Sequence, residues 1–114
     1  WGEESGYHAF KKLWNEGKRP TALIAFEDYM AYGAIRAAEE AGLAVPDSLS
    51  VIGYGNYPVK AGDVPLTTFD HHIEDLGRKS LELITEILKG KAPPDRKIYL
   101  RPQMIERGSC IKYP

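Results

Sequence analysis

Two adjacent carboxylates, Glu27 and Asp28, stand directly after the apolar run Leu23-Ile24-Ala25-Phe26. Paired carboxylates at the end of a buried strand can accept hydrogen bonds from ligand hydroxyls or divide the work of general acid and base. Asp28 has a second reading, as the N-cap of the helix that follows. A second apolar run, Leu49 to Tyr54, ends in Gly53-Tyr54-Gly55-Asn56. A glycine-bracketed loop past a strand end is where an open parallel sheet usually holds a small ligand. It lacks the third glycine of a dinucleotide loop and opens no helix, so a tight turn is the plainer reading.

The pair His71-His72 brings two imidazoles together in sequence. Neighbours on an extended chain point to opposite sides, and no Cys or carboxylate cluster completes a coordination set, so no metal is expected. Ser, His and Asp all occur, but none sits in a nucleophile elbow, and no cofactor loop is present. The chemistry on offer is that of binding, and the chain is not expected to be an enzyme.

The elements that must hold these residues follow from periodicity. Tyr7, Phe10, Leu13 and Trp14 are at helical spacing within Glu3 to Glu16, and Gly17 is a stop. Thr21 to Phe26, after Arg19-Pro20, is too short for a helix and reads as a buried strand. A second helix is expected over Tyr29 to Gly42. Met30, Gly33, Ala34, Ala37, Ala38 and Ala41 form its small-residue face, and Tyr32 and Ile35 lie on the opposite, charged side. Val45-Pro46-Asp47 makes a turn into the strand Leu49 to Tyr54. Strand, helix and strand within about thirty-five residues form one βαβ unit, with parallel strands whose carboxyl ends share an edge. That edge carries Glu27, Asp28, Gly55 and Asn56.

Further on, Asn56 to Val64 reads as loop and Leu66 to Asp70 as a short extended segment. The apolar positions from Ile73 to Leu88 mark the clearest helix, ending at Gly90. Ala92-Pro93-Pro94-Asp95 is a breaker, and two short strands, Lys97 to Leu100 and Gln103 to Glu106, are expected around Pro102.

At 114 residues with 43% apolar content the chain suits one domain with one core. Net charge is −1, with 15 basic and 16 acidic residues intermixed, so no basic face is available for phosphate backbones. Apolar runs are too short to span a bilayer. The single cysteine, Cys110, excludes an internal disulfide and fits a reducing cytoplasm; it reads as a bystander near the terminus. Opening on Trp1, the chain reads as a piece of something longer.

Several stretches, in order, resemble the LacI/GalR transcription regulators in their effector-binding part. They are Arg19-Pro20-Thr21-Ala22-Leu23-Ile24 with Asp28-Tyr29-Met30-Ala31-Tyr32-Gly33-Ala34-Ile35, and Gly42-Leu43-Ala44-Val45-Pro46-Asp47 leading to Ser50-Val51-Ile52-Gly53-Tyr54. Pro65-Leu66-Thr67-Thr68 with Gly77, and Ile105-Glu106-Arg107-Gly108-Ser109, complete the pattern. The resemblance implies an α/β fold of periplasmic-binding-protein-like (Rossmann-like) type, a parallel sheet with flanking helices. Residues 1–114 would supply the C-terminal portion of the effector-binding and dimerisation domain: most of one lobe, plus the Ile73 to Gly90 helix of the other.

The resemblance further implies a small-molecule effector, a sugar or related polar metabolite, a homodimer, and operator DNA bound by a domain outside this chain. Trp1 stands where sugar-responsive members pack an aromatic on the effector. Glu27 takes the place of a usual Asn, Gly55 that of a usual Asp, and His71 that of a common Gln; Asp28 and Asn56 adjoin them. Glu27 is thereby expected to take over hydroxyl or amine recognition. Tyr32, Ile35 and Tyr57 are implied at the dimer contact. The Ile73 to Leu88 helix would show an apolar stripe without its usual partners. A transport-type periplasmic binding protein shares the implied fold and is the alternative.

Overall fold

The computed structural model describes residues 1–58, 64–91 and 97–112. Its elements are α1 (Glu3–Asn15), β1 (Ala22–Ile24), α2 (Asp28–Glu40), β2 (Ser50–Tyr54), β3 (Thr67–Asp70), α3 (Ile73–Leu88) and β4 (Gln103–Ile105). The strands form one sheet in the order β1-β2-β3-β4. β1 and β2 pair in parallel with Leu23 opposite Val51, as the βαβ reading requires. β3 continues in parallel, with Gly53 opposite Thr68. β4 closes the edge antiparallel, with Phe69 opposite Met104, so the sheet is mixed at its last strand.

Side chains alternate across a strand, and here the alternation separates two very different faces. Ala25, Leu49, Val51 and Leu66 are buried in one core with Phe10 of α1 and Ala31, Ala34, Ile35 and Ala38 of α2. The opposite parity in β1 and beyond carries Ile24 and Phe26, 79% and 70% exposed.

Helix α2 lies between the sheet and α1, and this corrects the single small-residue face expected of it. Gly33 meets α1 at Glu3 and Tyr7, and Gly6 of α1 meets the Met30 backbone. A helix with neighbours on two sides buries more than half of its circumference, so Ala31 and Ile35 join the core. Ile35 is 5% exposed and does not face outward with Tyr32. Tyr32 stays half-buried, and burial, with the charge of Asp28 nearby, pushes its hydroxyl above the usual tyrosine range.

The chain after β4 returns to the core. Ser109 is fully buried between β2 and β3: its hydroxyl donates to the Val51 carbonyl at 2.6 Å and accepts the Thr67 N–H at 2.8 Å. The Ser109 carbonyl accepts the Val51 N–H at 2.8 Å. Cys110 is no bystander either, since its thiol lies 3.2 Å from the Val51 carbonyl. Ser109→Ala leaves the Thr67 N–H without an acceptor in a dry place, and is expected to cost about 1–3 kcal/mol in urea unfolding.

Two expectations do not carry over. Residues 97–100 form no strand, for a strand needs a hydrogen-bonding neighbour and Tyr99 is 83% exposed. The Ala92-Pro93-Pro94-Asp95 breaker lies outside the described residues, as does most of the 56–64 loop. Helix α3 spans the expected range and has no buried residue; Leu81 and Leu88 are among its exposed apolar side chains. Among the described residues no helix is long and apolar enough to cross a membrane.

Candidate functional site

At the carboxyl edge of β1 and β2 the exposed sheet face opens into a cavity of about 800 Å³. Trp1, Phe26, Glu27, Tyr54, Tyr57, Phe69, His71 and Pro102 line it, together with Ile24, Ala25 and Gly53. Its walls are mostly aromatic, and their geometry is ordered by ring–ring contacts. The His71 ring stacks on Tyr54 at 5.2 Å with an interplanar angle of 5°, and Tyr57 approaches His71 edge-on at 6.1 Å. Trp1 meets Phe26 edge-on at 5.2 Å. Such offset and T-shaped pairs suit the ring quadrupoles.

Polar groups in the cavity are few. The Gly2 N–H donates to Glu27 Oε1 at 2.7 Å, tying the start of α1 to the end of β1. Among the described residues Oε2 of Glu27 has no hydrogen-bond partner. His71 Nδ1 is buried and likewise unpartnered. Glu27 and Trp1 thus reach one cavity from separate elements, and His71 joins them from the crossing between β3 and α3. Three of the six residues singled out for the effector are therefore brought together.

The other three do not line it: Asp28 is buried, and Gly55 and Asn56 line a neighbouring cavity with Asp70 and His72. Asp28 is 2% exposed; its Oδ2 accepts the Tyr57 N–H at 2.9 Å and its Oδ1 accepts the Thr68 hydroxyl at 2.5 Å. It is not the N-cap of α2: that position falls to Glu27, which makes no side-chain cap bond. The carboxylate of Asp28 turns inward because Gly53, with no Cβ, leaves room for it; an added Cβ there would fall 2.2 Å from Oδ1. Asn56 is engaged as well, donating to Asp70 at 3.2 Å and accepting from Arg107 at 2.7 Å. Asp70 in turn is held below the usual carboxylate range, first by the His72 N–H and then by the Asn56 amide. His72 points away from His71, starts α3 with a positive φ, and pairs with Asp70 at 3.9 Å. Among the described residues no cluster of His, Cys, Asp or Glu could hold a metal.

Gly55 is the position where the geometry differs most from expectation. Its φ is +128°, and a Cβ added to it would lie 2.4 Å from the Tyr57 ring. Tyr57, expected at a subunit contact, lies over Gly55 with its ring in the cavity and stacks on Tyr29 at 5.5 Å. The ring fills the volume that a side chain at position 55 would need. Gly55→Ala is expected to destabilise through both strain and collision, by about 1–3 kcal/mol. The double variant Gly55→Ala/Tyr57→Ala should recover only the collision part, and a double-mutant cycle in urea measures the coupling.

Phe26, Tyr54 and Phe69 were not anticipated as lining. For Phe26 and Tyr54 the signal is the alternation of large and small side chains, Ile24-Ala25-Phe26 and Ile52-Gly53-Tyr54, and Phe69 shares their face through its register opposite Tyr54.

Comparison with known proteins agrees with this architecture. The family described as periplasmic binding protein-like domain matches residues 1–110. The chain is 37% identical over 112 residues to the HTH-type transcriptional repressor PurR of Salmonella arizonae, covering 97% of this chain and 33% of the relative. It therefore spans about a third of the length of the curated relatives it matches. Among solved structures, the Lac repressor dimer bound to operator and the anti-inducer ONPF superposes with a TM-score of 0.91 at 31% identity, over 98% of this chain and 39% of that one. A LacI-family regulatory protein from Corynebacterium glutamicum gives 0.82 at 37% identity, over 96% and 42%. The chain belongs to the LacI/GalR family of transcription regulators, its residues 1–110 forming part of the family's periplasmic binding protein-like, effector-binding domain.

Proposed function

We propose that this chain is the sensing part of a cytoplasmic, DNA-binding transcription regulator and takes a small polar metabolite, sugars included, into the aromatic cavity. The observation that carries the reading is where the cavity lies. It sits at the carboxyl edge of a parallel sheet and is bordered by His71, just before α3, and Pro102, just before β4. A ligand there touches both places where the chain leaves the sheet for α3 and comes back. One that binds best when α3's lobe is closed over the sheet shifts the population of that arrangement, by its difference in affinity for the two. The shift would pass through a homodimer, in which half-buried Tyr32 takes part, to a DNA-binding domain outside this chain. PurR and the Lac repressor dimer bound to operator support this reading by similarity.

The experiment is a thermal-shift screen of sugars and polar metabolites on the intact protein, followed by operator binding with and without each hit. A ligand at a hundred times its Kd should stabilise by about 2.7 kcal/mol. Trp1→Ala should weaken the hit, and the hit should change operator affinity. Ligand binding with no operator binding at all would favour a transport-type binding protein instead.

A further inference from the structure

The cavity has an uneven chemistry. Five carbon-rich rings surround it, from Trp1, Phe26, Tyr54, Tyr57 and Phe69, and among the described residues no Lys or Arg lines it. Among the described residues its one carboxylate is Glu27, with Oε1 fixed by the Gly2 N–H and Oε2 unpartnered. Glu27 also stands at the N-terminus of α2, the end of a helix that would otherwise attract an anion, and its charge opposes any such guest. Gly55, on the loop after β2, has no side chain, and the Tyr57 ring fills the space one would need, so this position supplies no second hydroxyl acceptor.

These features sort ligand classes by charge and by polarity. An anionic ligand, phosphorylated or carboxylated, meets a carboxylate and no cation on this side. A neutral polyol needs a partner for each hydroxyl that it buries, and the lining offers one carboxylate, two phenols and one imidazole. A cation gains from both features at once, because ring faces attract positive charge and the partly buried carboxylate of Glu27 pairs with an ammonium.

We infer that the effector is a nitrogenous organic cation, an amine or N-heterocycle that sets its charged nitrogen against Glu27 and its apolar face against the rings of Trp1, Phe26 and Tyr54. The inference rests on the cavity being the effector site. It makes Glu27 the residue that determines specificity by charge, and the aromatic walls the part that tolerates shape.

The test uses the intact regulator, with binding read by calorimetry and by Trp1 fluorescence. Benzylamine, tyramine and histamine form the cationic arm. Benzyl alcohol is the neutral isostere, benzoate and glucose 6-phosphate are the anions, and D-galactose is the polyol. The expected result is that amines bind, that added salt weakens them, and that Glu27→Gln lowers their affinity at least tenfold, about 1.4 kcal/mol, while benzyl alcohol is unaffected. Glu27→Asp, which keeps the charge, should restore part of the loss. Glu27→Gln retains an oxygen for the Gly2 N–H, and an unchanged melting temperature verifies that the fold persists. Binding of galactose or of an anion in place of amines, quenched through Trp1, overturns the inference and leaves the sensing role standing. Amines that bind equally well to Glu27→Gln also overturn it. No binding in any arm overturns both.

Discussion

Gly33→Ala is expected to destabilise the protein by about 2 kcal/mol or more, read as a lower urea midpoint at unchanged slope. The sign is the informative part. In an exposed helix interior the same change stabilises by about 1 kcal/mol, because alanine is the better helix former. At Gly33 the new methyl would lie 1.8 Å from the Glu3 carbonyl oxygen and 2.8 Å from the Tyr7 nitrogen, both backbone atoms of α1. Backbone cannot rotate out of the way as a flexible side chain can, so the two helices must separate. Their separation would open the core around Phe10 and shift the start of α1, where Gly2 holds Glu27. The reciprocal change, Gly6→Ala, meets the Met30 carbonyl at 2.0 Å and should behave alike. Gly77→Ala, where an added methyl has no atom within 4 Å, is expected to be neutral or stabilising in this chain. A stabilising Gly33→Ala would mean that α1 does not pack on α2 as described.

Asp28→Ala is the second large effect, expected at about 2–4 kcal/mol with a concurrent loss of ligand affinity. The carboxylate is buried, and it satisfies a backbone N–H in the loop after β2 and a hydroxyl on β3. Removing it leaves the buried Thr68 hydroxyl dry and the partly buried Tyr57 N–H unpaired, which is costlier than the worth of either bond. Thr68→Val removes only the hydroxyl and should cost less, about 1–2 kcal/mol. A cycle of the two changes should show coupling above about 0.5 kcal/mol, since they share one hydrogen bond. The functional readout separates this role from a merely structural one. Because Asp28 Oδ2 holds the Tyr57 N–H, the Tyr57 ring should loosen, and binding should weaken more than the melting temperature alone implies. Equal binding by a folded Asp28→Ala would exclude Asp28 from positioning the cavity wall.

Most of the scaffold was legible in the sequence, and for a local reason. The period of α1 and α3, the breaker after β1's preceding turn at Arg19-Pro20, and the length of the βαβ unit are properties of neighbouring residues. They hold whichever way the elements later pack. The same logic put Glu27 and the loop after Tyr54 on one edge, and the structure agrees through the parallel register of Leu23 with Val51.

What was not legible at the site depended on contacts across the chain. The direction of a side chain at a strand end is set by what its neighbours leave empty. Asp28 turns inward because Gly53 leaves a space and because Thr68 and the Tyr57 N–H, 40 and 29 residues away, need an acceptor. Ile35 is buried because α2 has the sheet on one side and α1 on the other, a sum of neighbours that a helical wheel cannot count. Ser109 and Cys110, at the end of the chain, are bound to β2 only by tertiary hydrogen bonds.

The sequence by itself determined the order and type of the main elements, the shared edge, and the family pattern in the segments that build them. Only the tertiary structure decided that Gly55 is closed over by Tyr57, and that aromatic rings and, among the described residues, a single carboxylate, Glu27, make the cavity wall. Backbone periodicity is encoded within a few residues, whereas a binding surface is made by side chains that folding alone brings into contact.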